Sequence, residues 1–244
     1  MRQNFKIVVS YDGTDYHGWQ RQPQKRTIQG CLEKALTRIT GKNIPVIGAG
    51  RTDAGVHALA QVAHFRSVLN LREDELMRAF HSLLPRDIRI TALEKTPPDF
   101  HARKSAKSKI YQYRIFNAPD VSPFLIRYVL PWFSPLDIKA MQKAANKMKR
   151  EDDFSPFSSN RQLYPVRKIT RSEIEKKGKE ILYTVEANGF LRYMVRTMVG
   201  TLLEVGRGKR SPDIIDTIFK EKKRTLASPT APAQGLCLIK VNYP

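Results

Sequence analysis

Apolar residues along this chain fall into two successive blocks, each alternating strand-like and helix-like periodicity. In the first block, Phe5 to Tyr11 (FKIVVSY) predicts a strand, broken by the turn signal Asp12-Gly13. Ile28, Leu32, Ala35, Leu36 and Ile39 then recur on one face of a helix over 28–40, with Thr27 as its N-cap. Ala58 to Phe65 predicts a second strand. Asn70, with Glu73 three residues on, reads as a capping box opening a helix that turns Leu76, Ala79, Phe80 and Leu83 inward; Pro85 ends it, and Ile88 to Leu93 is a strand. The block is β-α-β-α-β, with room for a further short strand.

Thr96 to Ser108, with Pro97-Pro98 and then FHARKSAKSK, separates the blocks. The second block begins with Ile110 to Phe116, a strand placing Tyr111 and Tyr113 on one face and Gln112 and Arg114 on the other. Ser134-Pro135 predicts a helix start, with Ile138, Met141, Ala145 and Met148 inward. Arg167 to Glu175 and Ile181 to Ala187 flank Lys177-Gly178 as a hairpin. A helical stripe from Gly189 carries Leu191, Val195, Met198, Leu202 and Val205 and stops at Gly206 and Gly208; Arg192 and Arg196, four apart, share another face. Ser211-Pro212-Asp213 opens a last helix, and Gly235 to Val241 is a closing strand. Two blocks of like order imply a duplicated split βαβ, ferredoxin-like unit. The expected fold is α+β, with mainly antiparallel sheets, helices on one face and a cleft between halves spanning 1–104 and 105–244.

Charge narrows the function. The 244 residues hold 43 Lys and Arg against 23 Asp and Glu, a net charge of +20. Such a surplus points to a polyanionic partner, most often nucleic acid. No apolar run reaches the roughly 18 residues of a membrane span, and no leader pattern precedes the first strand, so a cytoplasmic protein is expected. Cys31 and Cys237 lie far apart without metal-ligand spacing and are expected as buried thiols.

The chemistry concentrates in Gly48 to Ala58, GAGRTDAGVHA. In an extended segment Arg51 and Asp53 project to the same side, and the flanking glycines allow close approach of another chain. Alone, this pattern also fits a turn closed by a surface ion pair. A phosphate loop is disfavoured because no GK[ST] follows, and a metal site from Asp53, His57 and His64 matches no ligand spacing. Tyr11 to Gln22, YDGTDYHGWQRQ, interleaves aromatic and polar residues and suits either base stacking or a packed loop. Arg103, Lys104, Lys107 and Lys109 suit either phosphate contacts or a solvated linker.

Jointly these segments resemble the bacterial tRNA pseudouridine synthase A (TruA) family. The resemblance runs through YDGTDYHGWQRQ, GRTDAGVHA, FHAR (Phe100 to Arg103), KIYQYRI (Lys109 to Ile115), DFSPF (Asp153 to Phe157) and VRKI (Val166 to Ile169). It continues in GFLRYMVRTMVGTL (Gly189 to Leu202) and APAQGLCL (Ala231 to Leu238). Lys109 stands where the family commonly has arginine. The resemblance implies isomerisation of uridine to pseudouridine in the anticodon stem-loop of tRNA, at positions 38, 39 and 40, by a homodimer without cofactor or metal.

It further implies that Asp53 is the catalytic aspartate and Arg196 the guanidinium that keeps it ionised. Arg51 would take the place of the displaced base, Tyr111 would stack on the target uracil, and Leu236 would line the pocket. Arg103, Lys104, Lys107 and Arg192 would hold the tRNA backbone. Two other functions fit the basic surface: an RNA-binding module without turnover, and a metal-dependent RNA hydrolase. A pure binder has no need of Asp53 in a cationic site, and a hydrolase wants several clustered carboxylates.

Overall fold

A computed structural model describes residues 2–69, 71–159 and 163–244. The chain divides into two compact units, 1–107 with 238–244, and 108–237.

The first unit is built on β1 (Gln3–Tyr11), whose alternating inward residues Phe5, Ile7, Val9 and Tyr11 are buried. β3 (His57–Ser67) pairs antiparallel with β1 from Gln3 opposite Ser67 to Tyr11 opposite Ala58, and β4 (Ile88–Thr96) pairs antiparallel on its other side. The short β2 (Ile47–Gly48) pairs with the far edge of β3. The order β4-β1-β3-β2, with α1 (Ile28–Thr40) between β1 and β2 and α2 (Glu73–Leu83) between β3 and β4, is the split βαβ arrangement. Phe65 of β3 stacks on Phe5 at 5.2 Å and meets Phe80 of α2 edge-on at 6.1 Å, which seats α2 on the sheet.

Thr27 caps α1, accepting from Gly30 N, and Gly41 ends it at φ 68°. Asn70 lies outside the described residues; α2 begins at Glu73 itself, after Arg72, whose backbone N–H donates to Glu75 Oε2 at 2.9 Å. The 96–107 segment is no loose linker. Asn4 donates to the carbonyls of Pro97 and Phe100, Arg66 to that of Pro98, and Tyr243 to that of Ala102.

In the second unit β5 (Ser108–Phe116), β9 (Glu180–Ala187) and β8 (Val166–Lys177) pair antiparallel in that order, with β7 (Glu151–Asp153) on the edge and β6 (Leu130–Pro131) parallel to β5. With α3 (Ile138–Lys147) between β5 and β8, the order repeats the first unit's plan. Gly178 turns the β8–β9 hairpin at φ 59°. Phe154, Phe157 and Phe219 of α5 (Ile214–Glu221) form an aromatic cluster with centroids 5.0 to 6.0 Å apart.

α4 (Met194–Gly206) is buried nearly all round, as its sequence MVRTMVGTLLEVG dictates. Gly200 permits this: a Cβ there would lie 2.0 Å from the Pro229 carbonyl oxygen.

Three expectations need correction. α3 is capped by Asp137, which accepts from Ala140 N, and not opened by Ser134-Pro135; the Ser134 carbonyl is held by Asn117, and the chain bends there without entering a helix. α4 begins at Met194 because Tyr193 takes a left-handed φ of 61°, so Arg192 precedes the helix and does not share a face of it with Arg196. Both thiols are half-buried, not fully buried. The units part at Lys107 and Ser108, and the end of β10 (Leu236–Asn242) belongs with the first: Lys107 N donates to Asn242 O, and Tyr243 packs on Phe100 at 5.2 Å.

Candidate active site

The arginine–aspartate loop leaves β2 at Gly48 and enters β3 at His57. Several backbone groups along it are held by the 11–22 segment or by β3. Trp19 N donates to Thr52 O at 3.1 Å and Gly55 N to Tyr16 O at 3.3 Å. Gln61 Nε2 donates to Gly50 O at 3.1 Å, and Gly13 N to His57 Nδ1 at the same distance. The Thr52 hydroxyl meets the Tyr11 hydroxyl at 2.9 Å in a buried pair. Thr52 is thus buried while its neighbours are not: Arg51 is exposed and Asp53 half-buried.

Close approach here requires glycine. A Cβ on Gly48 would sit 2.6 Å from the Trp19 ring, and one on Gly18, at φ 82°, would sit 2.5 Å from Thr52 O. Tyr11, Tyr16 and Trp19 are 4%, 2% and 2% exposed. Of the two readings open for the 11–22 segment, the structure selects the packed loop. Its aromatic residues form the cradle of the Asp53 loop and offer no face to a base.

In the second unit the expected residues lie on β5, on α4 and the turn before it, and at the start of β10. Arg196 Nε donates to Ala231 O at 2.7 Å while Ala231 N donates back to Arg196 O at 3.0 Å. Tyr113 Oη donates to Pro232 O at 2.8 Å, and burial pushes that phenol well above its ordinary pKa while nearby Arg196 draws it down. Gly235 lets the strand pass Tyr113, since a Cβ there would be 2.6 Å from the ring.

Leu236, next along, is buried. Tyr111, 6% exposed, meets Phe190 edge-on at 5.1 Å. The guanidinium carbons of Arg192 and Arg196 stand 4.9 and 5.2 Å from the centroid of one ring, Tyr193. Among the described residues, no group of three or more His, Cys, Asp or Glu side chains could hold a metal ion, and no helix is long and apolar enough to cross a membrane.

A family model described as tRNA pseudouridine synthase matches residues 7–103 and 144–244. A Thermoanaerobacter protein (strain X514) named tRNA pseudouridine synthase A is 44% identical over 243 residues, covering 99% of this chain and all of the relative. A Geobacillus protein (strain WCH70) of the same name is 44% identical over 246 residues, covering 100% of this chain and 99% of its own. This chain belongs to the tRNA pseudouridine synthase family. It is an isomerase of that family's kind, and mixed α+β in fold. A solved chain from a Cbf5-Nop10-Gar1 complex aligns over 96% of this chain and 57% of its own length, at 14% identity and a TM-score of 0.32, too distant to bear on the site.

Within this family member the first unit carries Arg51, Asp53 and three exposed cations of the 96–107 segment, Arg103, Lys104 and Lys107; the second carries Tyr111, Arg192, Arg196 and Leu236. Lys109 is buried, unlike the other basic residues of its stretch. Sequence reasoning passed over Thr52, whose buried hydroxyl anchors the loop between Arg51 and Asp53, and over Tyr193, which collects two guanidinium groups. It also passed over a groove of about 740 Å³ beside α1, lined by Arg21, Lys25, Arg26, Lys34 and Arg38 among others. The α1 residues Lys34 and Arg38, one turn apart, were the available signal.

Proposed function

We propose that this chain isomerises uridine to pseudouridine in the anticodon stem-loop of tRNA, at positions 38, 39 and 40, as a cytoplasmic homodimer with no cofactor. Asp53 is the catalytic residue. The reaction breaks the bond between uracil N1 and the ribose C1′, turns the base, joins C5 to C1′ and releases the C5 proton to solvent. Cleavage leaves positive character on the sugar, which an ionised carboxylate stabilises or captures.

Arg196 supplies the guanidinium that favours the ionised form of Asp53. Tyr111 stacks on the uracil and Leu236 lines its pocket. Arg51 fills the space left by the extruded base, offsetting part of the few kcal/mol that unstacking costs. Arg103, Lys104, Lys107 and Arg192 hold phosphates, which position the tRNA without reading its sequence.

The observation that best supports this reading is the clamped loop, in which Thr52 is buried while Arg51 and Asp53 on either side of it are not. An arginine able to enter a stem and a carboxylate able to act on the freed nucleotide are what extrusion followed by glycosidic cleavage needs. The test uses unmodified tRNA transcripts with uridine retained at only one of the three positions. Pseudouridine, mapped by carbodiimide adducts that stop primer extension, is expected at each position in turn. Product confined to uridines outside the anticodon stem-loop would overturn the substrate assignment while leaving the isomerase activity in place.

A further inference from the structure

His64 lies in the middle of β3 and is 3% exposed. Its Nδ1 accepts the backbone N–H of Ala102 at 3.2 Å, and in the β2–β3 ladder it stands directly opposite Ile47. A neutral imidazole has one donor and one acceptor, so with Nδ1 accepting from Ala102 the proton sits on Nε2, where the Ile47 backbone draws it. The two segments it joins have different tasks. Ile47 is the last residue before Gly48, where the Asp53 loop begins. Ala102 begins the turn that exposes Arg103 and Lys104.

A second imidazole secures that turn. The His101 ring lies 4.8 Å from that of His64, and its Nδ1 accepts from the N–H of Arg103 at 3.2 Å and of Lys104 at 3.3 Å. Phe100 closes the cluster edge-on at 6.0 Å from His64. Burial first, then the charges of His101 and Arg66, hold the His64 pKa down to about 4, so the ring stays neutral through the ordinary working range.

We propose that His64 is a positioning residue, a two-ended strut that fixes the Asp53 loop in register with the Arg103–Lys104 turn. Phosphate engagement by that turn then sets the loop that acts on the nucleotide. The strut rests on the reading of Arg103 and Lys104 as tRNA contacts, which has its own readout: Arg103→Ala with Lys104→Ala weakens tRNA binding while the melting temperature is kept.

The test compares His64→Phe, which keeps a flat ring but no ring nitrogen, with His64→Asn, whose Oδ1 can replace the Nδ1 acceptor. Single-turnover rates at saturating tRNA are measured alongside tRNA dissociation constants and melting temperatures. We expect His64→Phe to lose about tenfold in rate with less than about a threefold change in binding. His64→Asn should recover at least about a third of the rate, the pattern of a lost transition-state arrangement and not of lost ground-state binding.

Removing Arg103 and Lys104 together should lower the saturated rate in wild type but not in His64→Phe, a non-additive cycle. A folded His64→Phe that turns over at the wild-type rate, equal impairment of the two variants, or a loss seen in melting temperature alone would overturn the strut. Should His64→Phe not fold, His64→Asn is compared with His64→Gln, which reaches the Nε2 position; Asn must be the faster, and equality overturns the proposal.

Discussion

At the scale of single residues, the site depends on what faces inward as much as on what faces the substrate. Thr52, between Arg51 and Asp53, is anchored by its hydrogen bond to Tyr11, and the loop packs closely because Gly48 and Gly18 lack a Cβ. Gly48→Ala should therefore cost about 1–3 kcal/mol, the usual penalty for overpacking, since the new methyl meets the rigid Trp19 ring. Urea unfolding measures that loss. Catalytic rate per folded molecule should fall as well, because the displaced backbone is the one that leads to Asp53; an unchanged rate would mean that the cradle serves stability only.

That Arg51 and Asp53 flank a buried residue was legible in sequence, since it needs only a two-residue alternation. The role of Tyr11, Tyr16 and Trp19 was not. An aromatic side chain in a polar loop has the same sequence signature whether it stacks on a base or fills a cradle, and only the partners Thr52, Asp87 and Gly48 decide.

At the scale of elements, the local signals that succeeded are those whose partners lie within one turn. Thr27 caps α1 through Gly30, three residues away, and the helix runs over the predicted span. The start of α3 misled because Ser134 is engaged by Asn117, seventeen residues back, while Asp137 supplies the cap. The α4 start misled because a left-handed tyrosine is invisible to periodicity.

The junction of α3 and α5 makes a prediction of its own. Lys147, the last residue of α3, is paired with Asp213 at 3.0 Å and with Asp216, and Arg150 reaches Asp216 at 2.7 Å. The Lys147 ammonium holds both carboxyls below their ordinary range, with Arg150 adding to the effect on Asp216. Depressed carboxyl values contribute stability that is present above the unfolded pKa of about 3.9 and lost as pH falls through the lower folded value. Lys147 is raised, chiefly by Asp216, so its share persists below its unfolded value of about 10.4 and fades only above it. The urea midpoint should accordingly drop below about pH 4 in wild type. Asp216→Asn should lower it at neutral pH, and the two curves should converge under acid; a constant gap across pH would detach this cluster from acid stability.

At the scale of the whole molecule, composition was informative about the partner and silent about the reaction. A net charge of +20 points to nucleic acid whatever the fold, and the repeated β-α order already announced two like units. It gave no hint that the closing segment Leu238–Pro244 belongs with the first unit, because a strand's partner is chosen by edge complementarity far away in sequence. Binding of tRNA should weaken steeply with salt, and replacing both Lys34 and Arg38 by alanine should reduce the log–log slope by about 2 if the groove beside α1 follows the backbone. An unchanged slope would confine the phosphate contacts to other basic residues.

The account as a whole turns on Asp53. Its most direct test incubates the protein, without added metal or cofactor, with unmodified tRNA labelled at uracil C5. The account predicts label release by wild type and none by Asp53→Asn, with tRNA binding by the variant retained; release by Asp53→Asn at the wild-type rate would contradict it.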